Sequence, residues 1–317
     1  MKRYKNNTFF LLIFTIVVLS FSCVTYSYDR TNPYPNMKIM RYANSQAYVL
    51  TNKTSDKLII VVEGSGWDSV LGEKQDNIWI SVKYASQFLQ ELGNDYTFLI
   101  PEKLNRQPGL VYIEDMEDRA NYTAENILAC YNESINSYLA ENAFSSVVLL
   151  GVSEGALLLP LIYDRMNNKD NVTAMVSIGF GGLSLFEAYS ILSVRPYSPP
   201  EWSEMCRDIA NICDPANAEV KNTFEEDFYG ITYRWFDSFR NIRPFDHYKS
   251  ITIPILFVHG VADYNMPVES TVYIEKNLPE KPFEYWYYDN WDHQPRNKAD
   301  MIAFRKEVSE WILLKSM

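Results

Sequence analysis

Residues 145–162 read SSVVLLGVSEGALLLPLI. Two apolar runs flank a small polar core, Gly151-Val-Ser153-Glu-Gly155. The first run is rich in valine and short, as a buried strand is; the second is leucine-rich and continues to about Asn167, as a helix does. A serine needed only for hydrogen bonding would not require both glycines. A serine on a very tight strand-to-helix turn would, because side chains at 151 and 155 would collide with neighbouring backbone. Such a turn exposes the Ser153 Oγ and aims the positive end of the next helix toward it. The plainer alternative is a serine that caps that helix.

Outward from this stretch the chain alternates. KIMRY and QAYVLT read as two early strands, followed by the strands KLIIVV (57–62), TFLIP (97–101), TAMVSIGF (173–180), IPILFVHG (253–260) and FEYWYY (283–288). Helical spacing covers 77–93, 121–142, 267–277 and 299–315. Strands alternating with helices imply an α/β fold with a mostly parallel sheet and helices on both faces. Functional residues then belong at the carboxyl ends of the strands. Residues 184–250 break the rhythm with a proline cluster at 196–200 and many aromatics, among them Trp202, Trp235, Phe236 and Phe239. Their spacing predicts mostly helix and no clear strand. The region reads as an insertion between late strands, its aromatics chiefly forming a small core of its own.

Three further motifs sit at predicted strand ends. HGVAD (259–263) follows ILFV, WDHQP (291–295) follows FEYWYY, and VVEGSGW (61–67) closes the third strand. With GVSEG they resemble the α/β-hydrolase family over nearly all of the chain beyond the leader. GVSEG matches that family's G-x-S-x-G nucleophile elbow, and the chain order Ser153, Asp263, His293 is the order the family uses. The resemblance implies Ser153 as nucleophile, His293 as base and Asp263 as the acid that orients it. Asp292 is the second candidate for the acid, disfavoured because adjacent side chains usually diverge. His259 precedes the turn and reads as structural. The loop after the third strand implies a backbone oxyanion hole from Ser65 or Gly66, with Glu154 supplying the other N–H. Glu63 stands where the family often has histidine. Gly64-Ser-Gly66 is a poor dinucleotide loop, since the third glycine is missing and no helix begins at once.

The bulk properties limit the remaining options. The chain has 317 residues, a net charge of −11 and 47% hydrophobic content. An acidic chain does not bind nucleic acid or anionic membrane through charge. Lys2, Arg3 and Lys5 precede the apolar run Phe9 to Phe21, the layout of a signal peptide over residues 1–22. LSFSC resembles a lipobox and implies lipidation at Cys23, although Phe21 occupies the usual small position. Ordinary cleavage and an uncleaved anchor are the alternatives, and all three export the protein to the cell envelope. Cys206 and Cys213 cannot pair on one unbroken helix, where seven residues rise roughly 10 Å. Cys130 reads as a small buried apolar residue. The three histidines lie far apart, so no metal site is expected and no cofactor.

The expected layout is therefore a leader over 1–22, a hydrolase core over 37–183 and 251–317, and a helical cap over 184–250. The expected activity is cleavage of a small-molecule ester or peptide-like substrate, with esterase favoured. A capped serine peptidase and a non-catalytic surface binding protein on the same scaffold are the alternatives.

Overall fold

A computed structural model describes residues 37–316 apart from 52, 67–68, 72–73, 76–77, 80–82, 107–120, 197, 218–226 and 229–230. The leader and Cys23 lie outside the described residues. The strands are β1 (Lys38–Arg41), β2 (Gln46–Leu50), β3 (Lys57–Val62), β4 (Lys74–Gln75), β5 (Ile78–Trp79), β6 (Thr97–Pro101), β7 (Ser146–Val152), β8 (Val172–Ile178), β9 (Asp227–Phe228), β10 (Ile231–Thr232), β11 (Ile255–Gly260) and β12 (Phe283–Tyr288). The helices are α1 (Lys83–Leu92), α2 (Ala124–Glu141), α3 (Glu154–Arg165), α4 (Leu185–Ser193), α5 (Pro200–Cys213), α6 (Tyr233–Ser238), α7 (Pro244–Tyr248), α8 (Glu269–Asn277) and α9 (Lys298–Lys315).

Eight strands form one sheet in the order β1-β2-β6-β3-β7-β8-β11-β12. β1, β2 and β6 pair antiparallel, and every pair from β6 to β12 is parallel. The chain leaves β3 for β6 on one side and returns to β7 on the other. That reversal opens a crevice at the carboxyl ends of β3 and β7, where a doubly covered sheet can hold a ligand.

The continuous apolar runs reflect burial of both faces. Leu58, Ile60 and Val62 enter one cluster with Tyr131 of α2 and Leu158 of α3. Ile59 and Val61 enter the other with Phe88 of α1 and Phe304 of α9. Side chains two apart share a face, so a strand covered on both sides must be apolar at every position.

Two segments differ from the periodicity reading. The helix expected over 77–93 is described only from Lys83, and Ile78–Trp79 instead pairs antiparallel with Lys74–Gln75. β-branched and aromatic residues favour a pleated backbone over a first helical turn. Residues 184–250 are mainly helical as expected, but they also carry the short β9–β10 ribbon. Their buried aromatics do not form a separate core. Trp235, Phe236, Phe239 and Phe245 join the cluster on the α2–α3 face of the sheet. Cys206 and Cys213 lie on the unbroken α5 as free, buried thiols. Burial pushes both up to about 12. Cys130 is buried as expected.

Candidate active site

Ser153 stands between β7 and α3 with φ 54° and ψ −116°. It is one of two non-glycine residues with positive φ among the described residues. A side chain is strained in that region by about 1–3 kcal/mol, a cost that persists only where the surroundings impose it. The surroundings are the two glycines. A Cβ on Gly151 would lie 2.6 Å from the Gly155 carbonyl oxygen, and one on Gly155 would lie 2.1 Å from that of Val62. Both contacts are with backbone, which cannot yield cheaply. Close packing of β7, α3 and β3 thus dictates both glycines. Ser153 makes no side-chain cap hydrogen bond to α3, so the capping alternative does not account for it.

Asp263 and His293 come together from separate strand ends. The Asp263 Oδ2 accepts from the His293 Nδ1 at 2.7 Å. Its Oδ1 accepts the backbone N–H groups of Asn265 and Met266 at 2.8 and 2.9 Å. Burial alone would raise the Asp263 pKa. The His293 charge and the hydrogen bonds from His259 and His293 outweigh it, and hold the carboxyl below the usual range. His293 is the mirror case. Burial lowers its pKa, but the Asp263 charge and hydrogen bond, aided by Asp292, bring the balance above 6.5.

Asp292 bonds to backbone instead. Its Oδ1 accepts the backbone N–H groups of Tyr264 and His293 at 3.2 and 2.8 Å. It ties the two loops together. His259 is fully buried, with Nδ1 2.8 Å from the Thr271 Oγ1 and Nε2 3.0 Å from the Met266 carbonyl and 3.4 Å from the Asp263 Oδ2. It braces the acid from behind, consistent with its structural reading.

The end of β8 links these parts. The Ser153 N–H donates to the Ile178 carbonyl at 2.8 Å, and a Cβ on the next residue, Gly179, would meet the His293 ring at 3.1 Å. Gly64, at the end of β3, approaches from the other side. A Cβ there would lie 3.3 Å from the Ser153 Cβ and 3.9 Å from its Oγ. Ser65 and Gly66 follow in the same loop, both exposed. Glu154 is the first residue of α3, its side chain buried with Tyr122 at 3.5 Å. Glu63 turns away to accept the Ala85 N–H at 3.1 Å. That places a carboxylate on the first turn of α1, where the helix dipole favours it.

The sequence reading missed Glu102 and Lys103, both buried at the end of β6. Their place just beyond TFLIP, at a strand's carboxyl end, was the available signal. Arg195, beyond α4, also reaches the site's edge. It donates to the Asp263 carbonyl at 2.5 Å and pairs with Glu269 at 2.7 Å. No group of metal-ligating side chains occurs among the described residues.

No protein-family model matches the chain. A stretch of 71 residues is 31% identical to the uncharacterized peptidase YtmA of Bacillus subtilis (strain 168), covering 22% of this chain and 27% of that protein. The Pyrococcus horikoshii acylaminoacyl peptidase is similar in structure at a TM-score of 0.57 and 15% identity, over 88% of this chain but 41% of its own. Est1E from Butyrivibrio proteoclasticus is similar at 0.57 and 15% identity, over 88% of this chain and 98% of its own. The chain thus spans less than half of the first two proteins and nearly all of the third. Sheet order, strand-end loops and these likenesses agree: the chain has the α/β-hydrolase fold.

Proposed function

We propose that the chain is a serine hydrolase that cleaves an ester or amide through an acyl-enzyme. The observation that carries this reading is the convergence at the end of β8: Ser153, held at φ 54°, bonds to the Ile178 carbonyl, and the Asp263–His293 pair at 2.7 Å packs on the neighbouring Gly179. Asp263 takes the Nδ1 proton as its hydrogen-bond partner, so the basic lone pair is on Nε2. His293 removes the Ser153 proton as Oγ attacks the carbonyl, then returns it to the leaving group. Water repeats the cycle and releases the acid. The Glu154 N–H and an N–H of the loop at Ser65 or Gly66 hold the oxyanion, each worth on the order of 100-fold in rate.

Esterase action is favoured because the Pyrococcus furiosus esterase Pf2001, similar at a TM-score of 0.57 and 15% identity, matches over 98% of its length, whereas the acylaminoacyl peptidase is more than twice as long as the matched part. Peptidase action is the second reading, supported by the local similarity to the peptidase YtmA. Residues 184–250 would act as a cap, with Arg195 joining it to the Asp263 loop. Export and an N-terminal lipid on Cys23 belong to the same proposal, and a mature N-terminal mass without diacylglycerol would remove the lipid.

Fluorophosphonate labelling of the wild-type protein beside Ser153→Ala tests the reading. Labelling of the wild type alone supports an activated Ser153; an unlabelled, folded wild type supports a non-catalytic binding protein. Acyl esters against aminoacyl amides then separate the two activities.

A further inference from the structure

Glu102 and Lys103 occupy adjacent positions at the end of β6, and both grip the loop that follows β3. The Lys103 side chain is buried, and its Nζ donates to the Gly66 carbonyl at 2.8 Å. Glu102 is fully buried, and its Oε1 accepts the Val70 N–H at 3.0 Å. Its Oε2 accepts from the Ser69 hydroxyl and, at 2.6 Å, from the Tyr48 hydroxyl on β2. The loop is therefore tied at Gly66 and again at Ser69 and Val70. Its other end, Gly64, lies against Ser153.

Gly66 needs such a tie. At φ 120° it occupies backbone space open chiefly to glycine, where a peptide group rotates at little cost. An ammonium on its carbonyl oxygen opposes that rotation. A buried charge is costly unless its hydrogen bonds are made, and a loop hydrogen bond alone does not call for a lysine and a glutamate at zero to one per cent exposure. We infer that Glu102 and Lys103 are positioning residues that clamp the β3 loop in the orientation from which its N–H groups face the serine, and so set the rate of acyl transfer without touching substrate. This rests on the hydrolase reading for its effect on rate, but the clamp itself does not.

The test has two arms on Lys103→Met, Lys103→Gln and Lys103→Arg. Hydrogen exchange of peptides covering residues 64–71 reads the clamp. Fluorophosphonate labelling and hydrolysis of p-nitrophenyl butyrate read the chemistry. Lys103→Met should speed exchange in that peptide alone, slow labelling about tenfold or more, and lower kcat with KM within about twofold, as loss of oxyanion alignment does. Lys103→Arg, which keeps charge and donor, should recover most of both. Should Lys103→Met not fold, Lys103→Gln provides the same comparison with a neutral donor. Unchanged exchange in a folded Met or Gln variant, or a loss confined to KM, overturns the inference. Faster exchange in a protein whose wild type never labels keeps the clamp and removes the hydrolase reading instead.

Discussion

At residue scale the most informative feature is a backbone angle. Ser153 carries positive φ without capping α3, so its hydroxyl and its strain have separable consequences. Ser153→Ala should abolish labelling yet shift stability by less than about 0.5 kcal/mol, whereas loss of a true cap would cost about 1 kcal/mol. Ser153→Gly should raise the melting temperature, because glycine relieves the φ strain. The His293 pKa makes a signed prediction. In the proposed mechanism the base works neutral, so kcat/KM should fall as pH drops through that pKa, with the inflection above the ordinary histidine value of 6.5. Asp263→Asn removes the largest influence raising it while burial continues to lower it. The inflection should move to lower pH, and kcat should drop by about 10⁴-fold. A pH-rate profile of both proteins reads the two effects.

At element scale the packing of β7 on α3 and β3 leaves no room at the elbow. Gly155→Ala would force a methyl against the Val62 carbonyl at 2.1 Å. It should destabilise by about 3 kcal/mol or more, beyond the usual range for overpacking, and denaturant unfolding measures it. Leu149→Ala, in the middle of a strand buried on both faces, should cost about 2–5 kcal/mol. Glu63 acts on a different element. Its bond to the Ala85 N–H supports α1, so Glu63→Ala should cost roughly 1 kcal/mol. Glu63 thus supports the helix with its side chain, and the loop backbone beside Ser153 is left in place.

Across the whole molecule the inserted helices share the core of the sheet's α2–α3 face rather than folding on their own. They should unfold with it in one transition, as followed by far-UV and tryptophan signals together. The buried free thiols at 130, 206 and 213 should react with a thiol reagent only on unfolding, and reductant should leave the melting temperature unchanged.

Periodicity and punctuation made much of this legible in advance. The central strands announced themselves as short apolar runs, and the resemblance of GVSEG, HGVAD and WDHQP to α/β-hydrolase motifs singled out Ser153, Asp263 and His293. Local patterns suffice there because backbone geometry and burial act on neighbouring residues. The rest depended on residues far apart in the chain. Adjacency to His293 already disfavours Asp292 as the imidazole's partner, but that Asp263 reaches the ring depends on the parallel pairing of β11 and β12, which brings their following loops together. Nothing in LIPEK shows that Glu102 and Lys103 reach back some 30 or more positions to the loop at Gly66–Val70. The sequence determined which elements form and which residue types could do chemistry. Tertiary structure alone decided which of them meet, because sheet order sets the distances between strand ends, and those distances are invisible along the chain.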